Sequence, residues 1–96
     1  MADVLSEERI DEALTHLPQW RRDGDAIERS VELANFPQAI QVVNRVAEIA
    51  ESVNHHPDID IRWRTVKFRL STHSEGGITE KDVTFAEEID EVIDSV

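Results

Sequence analysis

Asp58-Ile59-Asp60-Ile61-Arg62-Trp63-Arg64-Thr65-Val66-Lys67-Phe68-Arg69-Leu70 alternates in a way that constrains the whole architecture. Its apolar residues alternate with polar ones, first as Ile59, Ile61 and Trp63. After a change of phase near Arg64-Thr65 they continue as Val66, Phe68 and Leu70. Alternation marks a strand with one buried face, and a one-residue slip would turn the apolar set to the other face. The phase change therefore requires either a bulge or a very tight hairpin between two strands. The hairpin is the preferred reading.

Upstream, Phe36, Ile40, Val43, Val46, Ala47 and Ala50 recur at helical spacing, with Val42, Ile49 and Val53 widening the face. Asn35 is the N-cap candidate, and Pro37 falls in the first turn, where its missing N–H does no harm. Pro57 disfavours helical geometry at His56, so this longest helix, roughly 36–53, ends by about His55. Its wide apolar face can cover a sheet and still leave an edge for another subunit. Before it, Ile27, Arg29, Val31 and Leu33 alternate, which predicts a strand over 26–34. Asp23-Gly24-Asp25 is a tight-turn signal, and it pairs that strand with a short arm, 19–22, that carries Trp20. At the start, Ser6 reads as an N-cap followed by Glu7 and Glu8, with Leu5 and Ile10 as a hydrophobic staple. Ile10, Ala13, Leu14 and Leu17 continue the helix until Pro18 stops it at about residue 17.

Downstream, Ser71 to Gly77 is a loop. Thr79-Glu80-Lys81-Asp82 matches a capping box ahead of a third helix, whose face is Val83, Phe85, Ala86, Ile89, Val92 and Ile93. The predicted order is α-β-β-α-β-β-α. The fold class is α+β, one domain over 1–96, with a four-stranded antiparallel sheet and helices packed on one face.

Composition narrows the function. The chain has 96 residues, 40% hydrophobic, enough for one modest core. Its net charge of −11 repels nucleic acid and anionic membranes, so neither is an expected partner. No run is long enough to cross a bilayer, and Met1-Ala2-Asp3-Val4 does not begin a secretory signal. The absence of cysteine excludes disulfides, thiolate metal sites and cysteine nucleophiles, and it fits a cytoplasmic protein.

Chemistry concentrates in Glu51-Ser52-Val53-Asn54-His55-His56-Pro57 and in His73. Histidine titrates close to neutrality, so it gives or takes a proton at working pH. Two imidazoles at a helix end, with a third on the next loop, suit proton shuffling on a small organic substrate without a covalent nucleophile. An exposed helix end explains the His-His pair equally well on spacing alone, and His73 alone reads as a loop residue. His16 reads as a surface or capping residue. Zinc is the other functional reading, but the intervals 55–56 and 56–73 match no short zinc spacing. Glu51 stands four residues before His55, on the same helical face, where it can orient that ring or merely contact the helix surface. The capping box suffices to explain Asp82.

The series Glu51, three residues, His55-His56-Pro57, five residues, Trp63, nine residues, His73, eight residues, Asp82 resembles the signature of the pterin-4a-carbinolamine dehydratases. Leu70-Ser71-Thr72-His73, Gly76-Gly77-Ile78-Thr79 and Trp20 fit the same family, and the resemblance spans nearly the whole chain. It implies the α+β fold and dehydration of 4a-hydroxytetrahydropterin to quinonoid dihydropterin, which recycles tetrahydropterin for aromatic amino-acid hydroxylases. It implies no metal, no bound cofactor and a homodimer or homotetramer. Carried over by position, it makes His55, His56 and His73 the catalytic or pterin-contacting histidines. Pro57, Thr72, Ser74, Glu75 and Asp82 line the substrate site, with Glu51 and Trp20 as further contributors. Trp63 stands where tyrosine is also common. Some relatives act instead in coactivation of a homeodomain transcription factor or in assembly of a carbon-fixing enzyme, so a non-catalytic oligomeric binding module on the same scaffold is the alternative.

Overall fold

Arg62 and Thr65 face each other across the two-residue turn Trp63-Arg64, so the change of phase is a hairpin and not a bulge. The structure, a computed structural model, describes residues 3–96. The reading of the chain's start rests partly on Met1 and Ala2, which lie outside the described residues. Strands β3 (Asp58–Arg62) and β4 (Thr65–Leu70) pair antiparallel, with Ile59 opposite Phe68 and Ile61 opposite Val66. Directly opposed residues share a face, so both apolar sets point the same way. Trp63 departs from the expected alternation: it sits in the turn, at φ 53°, with 72% of its surface exposed. The ladder ends one residue before it, so its side chain owes nothing to the strand's period.

Among the described residues three helices and four strands follow the order α-β-β-α-β-β-α. Strand β1 (Arg21–Asp23) pairs with β2 (Ala26–Glu32) across Gly24-Asp25, and Gly24 supplies the positive φ of 62° that the turn needs. Trp20 precedes β1 instead of lying within it, and β2 ends at Glu32, two residues before its expected end. Leu33 stays tied to the hairpin tip by its N–H to the Arg64 carbonyl at 2.8 Å.

The sheet order is β1-β2-β4-β3, antiparallel throughout. Ile27, Arg29 and Val31 of β2 stand opposite Leu70, Phe68 and Val66. This is the face that the helices cover, where Ile27, Val66, Phe68 and Leu70 are buried. Full burial of each such side chain contributes roughly 1.5–3 kcal/mol. The other face carries Glu28, Ser30, Lys67 and Arg69.

Helix α1 (Glu7–Thr15) is capped by Ser6, whose hydroxyl accepts from the Arg9 N–H. It ends two residues earlier than expected, because Pro18 restricts Leu17 and the chain leaves through turn bonds. Helix α2 (Phe36–Val53) has the expected bounds and the expected Asn35 cap. Its buried stripe is Ala39, Val42, Val46 and Ala50, while Phe36 and Ala47 are exposed. Of the expected face, Val46 and Ala50 are thus buried with the flanking Val42, Ile40 and Val43 are half-buried, and Phe36 and Ala47 turn outward. A wide apolar arc does not say which part of it touches the core. Helix α3 (Glu80–Asp94) buries all six residues expected of its face.

Arg29 is a charged group in an inner strand of the covered face. Arg29 donates to Asp90 of α3 at 2.6 Å, and the Trp20 indole N–H donates to the same oxygen at 2.8 Å. Strand, helix and the segment entering β1 are tied at this point. Among the described residues no helix is long and apolar enough to cross a membrane.

Candidate active site

The site begins where α2 ends. Asn54 adopts left-handed geometry, φ 52° and ψ 46°, and the His55 N–H bonds back to the Ala50 carbonyl at 3.1 Å. Asparagine tolerates this conformation better than most residues, and the closure resembles a Schellman ending. The reversal takes His55 off the helix. The i to i+4 pairing of Glu51 with His55 is therefore not made: Glu51 Oε2 lies 2.5 Å from His56 Nε2, in an exposed pair.

His55 turns inward and meets α3. Its Nε2 lies 2.6 Å from Asp82 Oδ1, and its ring packs against Phe85 with centroids 6.3 Å apart. Asp82 has 0% exposure. Its second oxygen, Oδ2, accepts from the Thr72 hydroxyl at 2.8 Å and from the Thr79 N–H at 2.9 Å. The capping box expected from Thr79 to Asp82 is formed, so a single carboxylate caps α3 and holds a histidine. An ionised carboxylate only accepts hydrogen bonds. With Nε2–H donating to this carboxylate, Nδ1 is the ring nitrogen left to exchange a proton.

Thr72 links the third histidine to this carboxylate. It is buried two residues past β4 and immediately precedes His73, which opens the short 3-10 turn His73–Glu75. The turn is closed by the Glu75 N–H and the Gly76 N–H to the Thr72 carbonyl, both at 3.0 Å, with Gly76 at φ 75°. His73 and Ser74 are exposed, while Pro57 and Glu75 are half-buried. His55 and the His73 loop are thus joined through Asp82, and His56 lies beside His55 on the chain. Trp20 sits elsewhere: it is 5% exposed, packed in the core and bonded to Asp90.

A cavity of about 400 Å³ opens beside His55, lined by Val53, Glu80, Lys81, Thr84, Phe85 and Glu88. Among the described residues no group of three or more His, Asp or Glu side chains is arranged to hold a metal ion. Thr79 is legible in the sequence only as a cap, yet its hydroxyl also lies 2.7 Å from the Thr72 hydroxyl.

The family described as Pterin 4 alpha carbinolamine dehydratase matches residues 3–92. A protein of Nocardia farcinica, provisionally named pterin-4-alpha-carbinolamine dehydratase, is 58% identical over 90 residues, covering 94% of this chain and 95% of that protein. One of Mycobacteroides abscessus with the same name is 59% identical over 87 residues, covering 91% and 93%. A crystal structure from Brucella melitensis, described as a transcriptional coactivator/pterin dehydratase, superposes with a TM-score of 0.91 at 33% identity, covering 94% and 98%. A pterin dehydratase-like protein identified as a RuBisCO assembly factor in the alpha-carboxysome shares the fold, with a TM-score of 0.63 at 18% identity over 76% and 84%. With the family matched from Asp3 to Val92 on a fold of this order, the chain belongs to the pterin 4 alpha carbinolamine dehydratase family.

Proposed function

We propose that the protein dehydrates 4a-hydroxytetrahydropterin to quinonoid dihydropterin and water, in recycling of tetrahydropterin, by acid–base catalysis from its histidines. In this reaction the C4a–O bond breaks and the N5 proton leaves to a base. The N5 electron pair closes the C4a=N5 double bond, and the departing oxygen takes a proton to leave as water. The observation that carries the reading is the 2.6 Å contact between buried Asp82 and His55, made by the carboxylate that also holds the residue preceding His73. His55 is the base: Nδ1 accepts the proton, and Asp82 compensates the charge that forms on the ring. His73 is the acid on the departing oxygen, and His56, beside Pro57, binds and polarises the pterin. Thr72, Ser74 and Glu75 complete the substrate side, while Asp82 acts through His55.

On this reading the protein is a cytoplasmic homodimer or homotetramer without nucleic-acid or membrane partners. A non-catalytic binding module or coactivator is the second reading, favoured by the description of the Brucella structure. The test supplies 4a-hydroxytetrahydropterin from an aromatic amino-acid hydroxylase and follows its decay. Purified protein is expected to accelerate decay, and His55→Ala with His73→Ala to abolish the acceleration. No acceleration by the unmodified protein would sink the dehydratase. Full activity in the double variant would sink the assigned roles.

A further inference from the structure

We propose that Thr79 is a positioning residue whose hydroxyl sets the spacing between the segment bearing His55 and the segment bearing His73. The proposal rests on the dehydratase reading for its kinetic consequence, though not for its structural one. Thr79 is 0% exposed and Thr72 is 3% exposed, so both hydroxyls need partners inside the protein. Their hydrogen bonds run in one direction only. The Lys81 backbone N–H can only donate, and it reaches Thr79 Oγ1 at 3.2 Å. The Thr72 hydroxyl donates to Asp82 Oδ2 at 2.8 Å, which uses its one hydrogen. The 2.7 Å contact between the two hydroxyls is then a bond from Thr79 to Thr72. Both ends of the chain are fixed, so neither hydroxyl rotor is free.

The chain joins the two proton-carrying segments. Asp82 holds His55 through Oδ1, at the exit of α2. Through Oδ2 it holds Thr72, and therefore the turn that begins at His73. Thr79 is the brace on that second arm. Without its hydroxyl, Thr72 loses the donor that aims its own hydrogen at Asp82, and the His73 segment loses its fixed distance from His55. Thr79 is fully buried, so its effect falls on geometry at the chemical step.

Two variants separate packing from hydrogen bonding. Thr79→Val keeps the buried shape and cuts the chain; Thr79→Ser keeps the chain and removes a buried methyl. Thr79→Val is expected to lower kcat roughly tenfold or more, with KM changed less, since small misplacements of catalytic groups cost that much. Thr79→Ser is expected to stay within about twofold of the parent protein. Nitrogen-15 imidazole spectra supply a readout independent of turnover. The His55 Nε2–H signal is expected to persist in the parent and in Thr79→Ser, and to broaden by exchange in Thr79→Val. If the parent has no dehydratase activity, this spectrum still decides the positioning role.

Thr79 is expected to act through Thr72, so adding Thr79→Val to Thr72→Val should cost nothing further. Three outcomes overturn the proposal: an unchanged rate and Nε2–H signal in Thr79→Val, equal damage in Thr79→Ser, or losses that multiply in the double variant. Should Thr79→Val fail to fold, Thr72→Val cuts the same chain and leaves the helix cap in place. An unchanged signal and rate in that variant would likewise overturn the proposal.

Discussion

Asp82 Oδ1 lies 2.6 Å from His55 Nε2, while Oδ2 of the same carboxylate accepts the Thr79 N–H that opens α3. The contact fixes a tautomer, and Asp82→Asn reverses it. The asparagine carbonyl keeps the donors from Thr72 and Thr79, so its amide group faces His55. Nε2 must then accept, and the ring hydrogen moves to Nδ1, where the proposed proton acceptor was. We expect a folded protein with kcat lowered by roughly 10²–10⁴-fold, as when a supporting carboxylate becomes an amide in other histidine-based sites. Imidazole nitrogen shifts read the tautomer directly, and an unchanged tautomer would remove the basis for the expected loss.

Trp20 separates a core role from a substrate role. It is buried and donates to Asp90, which also takes Arg29. Trp20→Phe keeps most of the packing and removes one donor from this carboxylate. The expected cost is roughly 1–2 kcal/mol in urea denaturation, from the lost bond to a charged acceptor. KM for the pterin is expected to stay unchanged. A large rise in KM without a stability loss would place the indole at the substrate instead.

Glu28 makes stability depend on pH. It is buried on the open face of the sheet, and Arg21 bonds its carboxylate at 2.7 and 3.0 Å. These bonds hold its pKa below the ordinary value of 4.5, against burial, which acts upward, with Lys67 adding to the lowering. The unfolded chain therefore binds the proton more readily. The contribution of Glu28 is full above the ordinary value and is lost as pH falls through the depressed folded value. Glu28→Gln is expected to destabilise by on the order of 1–2 kcal/mol at pH 7. Denaturation curves of parent and variant should converge in acid. A constant difference across that range would mean that packing, not charge, holds the site.

Local pattern was a good guide wherever one short segment carries the whole cause. Asn35 and Pro37 mark the start of α2, and the Thr79-to-Asp82 box marks the start of α3, because a cap acts within one helical turn. The hairpin at Trp63-Arg64 was legible because a side-chain period of two admits no slip within a half-buried strand. Trp63 itself was misplaced. It continues the alternation in residue type but occupies the turn, with its ring 4.9 Å from the Arg64 guanidinium. The pairing of Glu51 with His55 is not made for a related reason: the i to i+4 rule holds only while the helix continues, and Asn54 ends it.

The order of helices and strands, the helix caps and the tight turns are legible along the chain, since each follows from short-range sterics and from periodicity. Packing settled which part of the α2 arc meets the sheet. It also decided that Trp20 joins Arg29 at Asp90, and that His55 is held by Asp82, 27 residues away. Those outcomes depend on how separate elements pack and on which buried donor finds which buried acceptor. For the site itself, the two oxygens of Asp82 are what turn residues scattered along the chain into one arrangement of His55, Thr72 and Thr79.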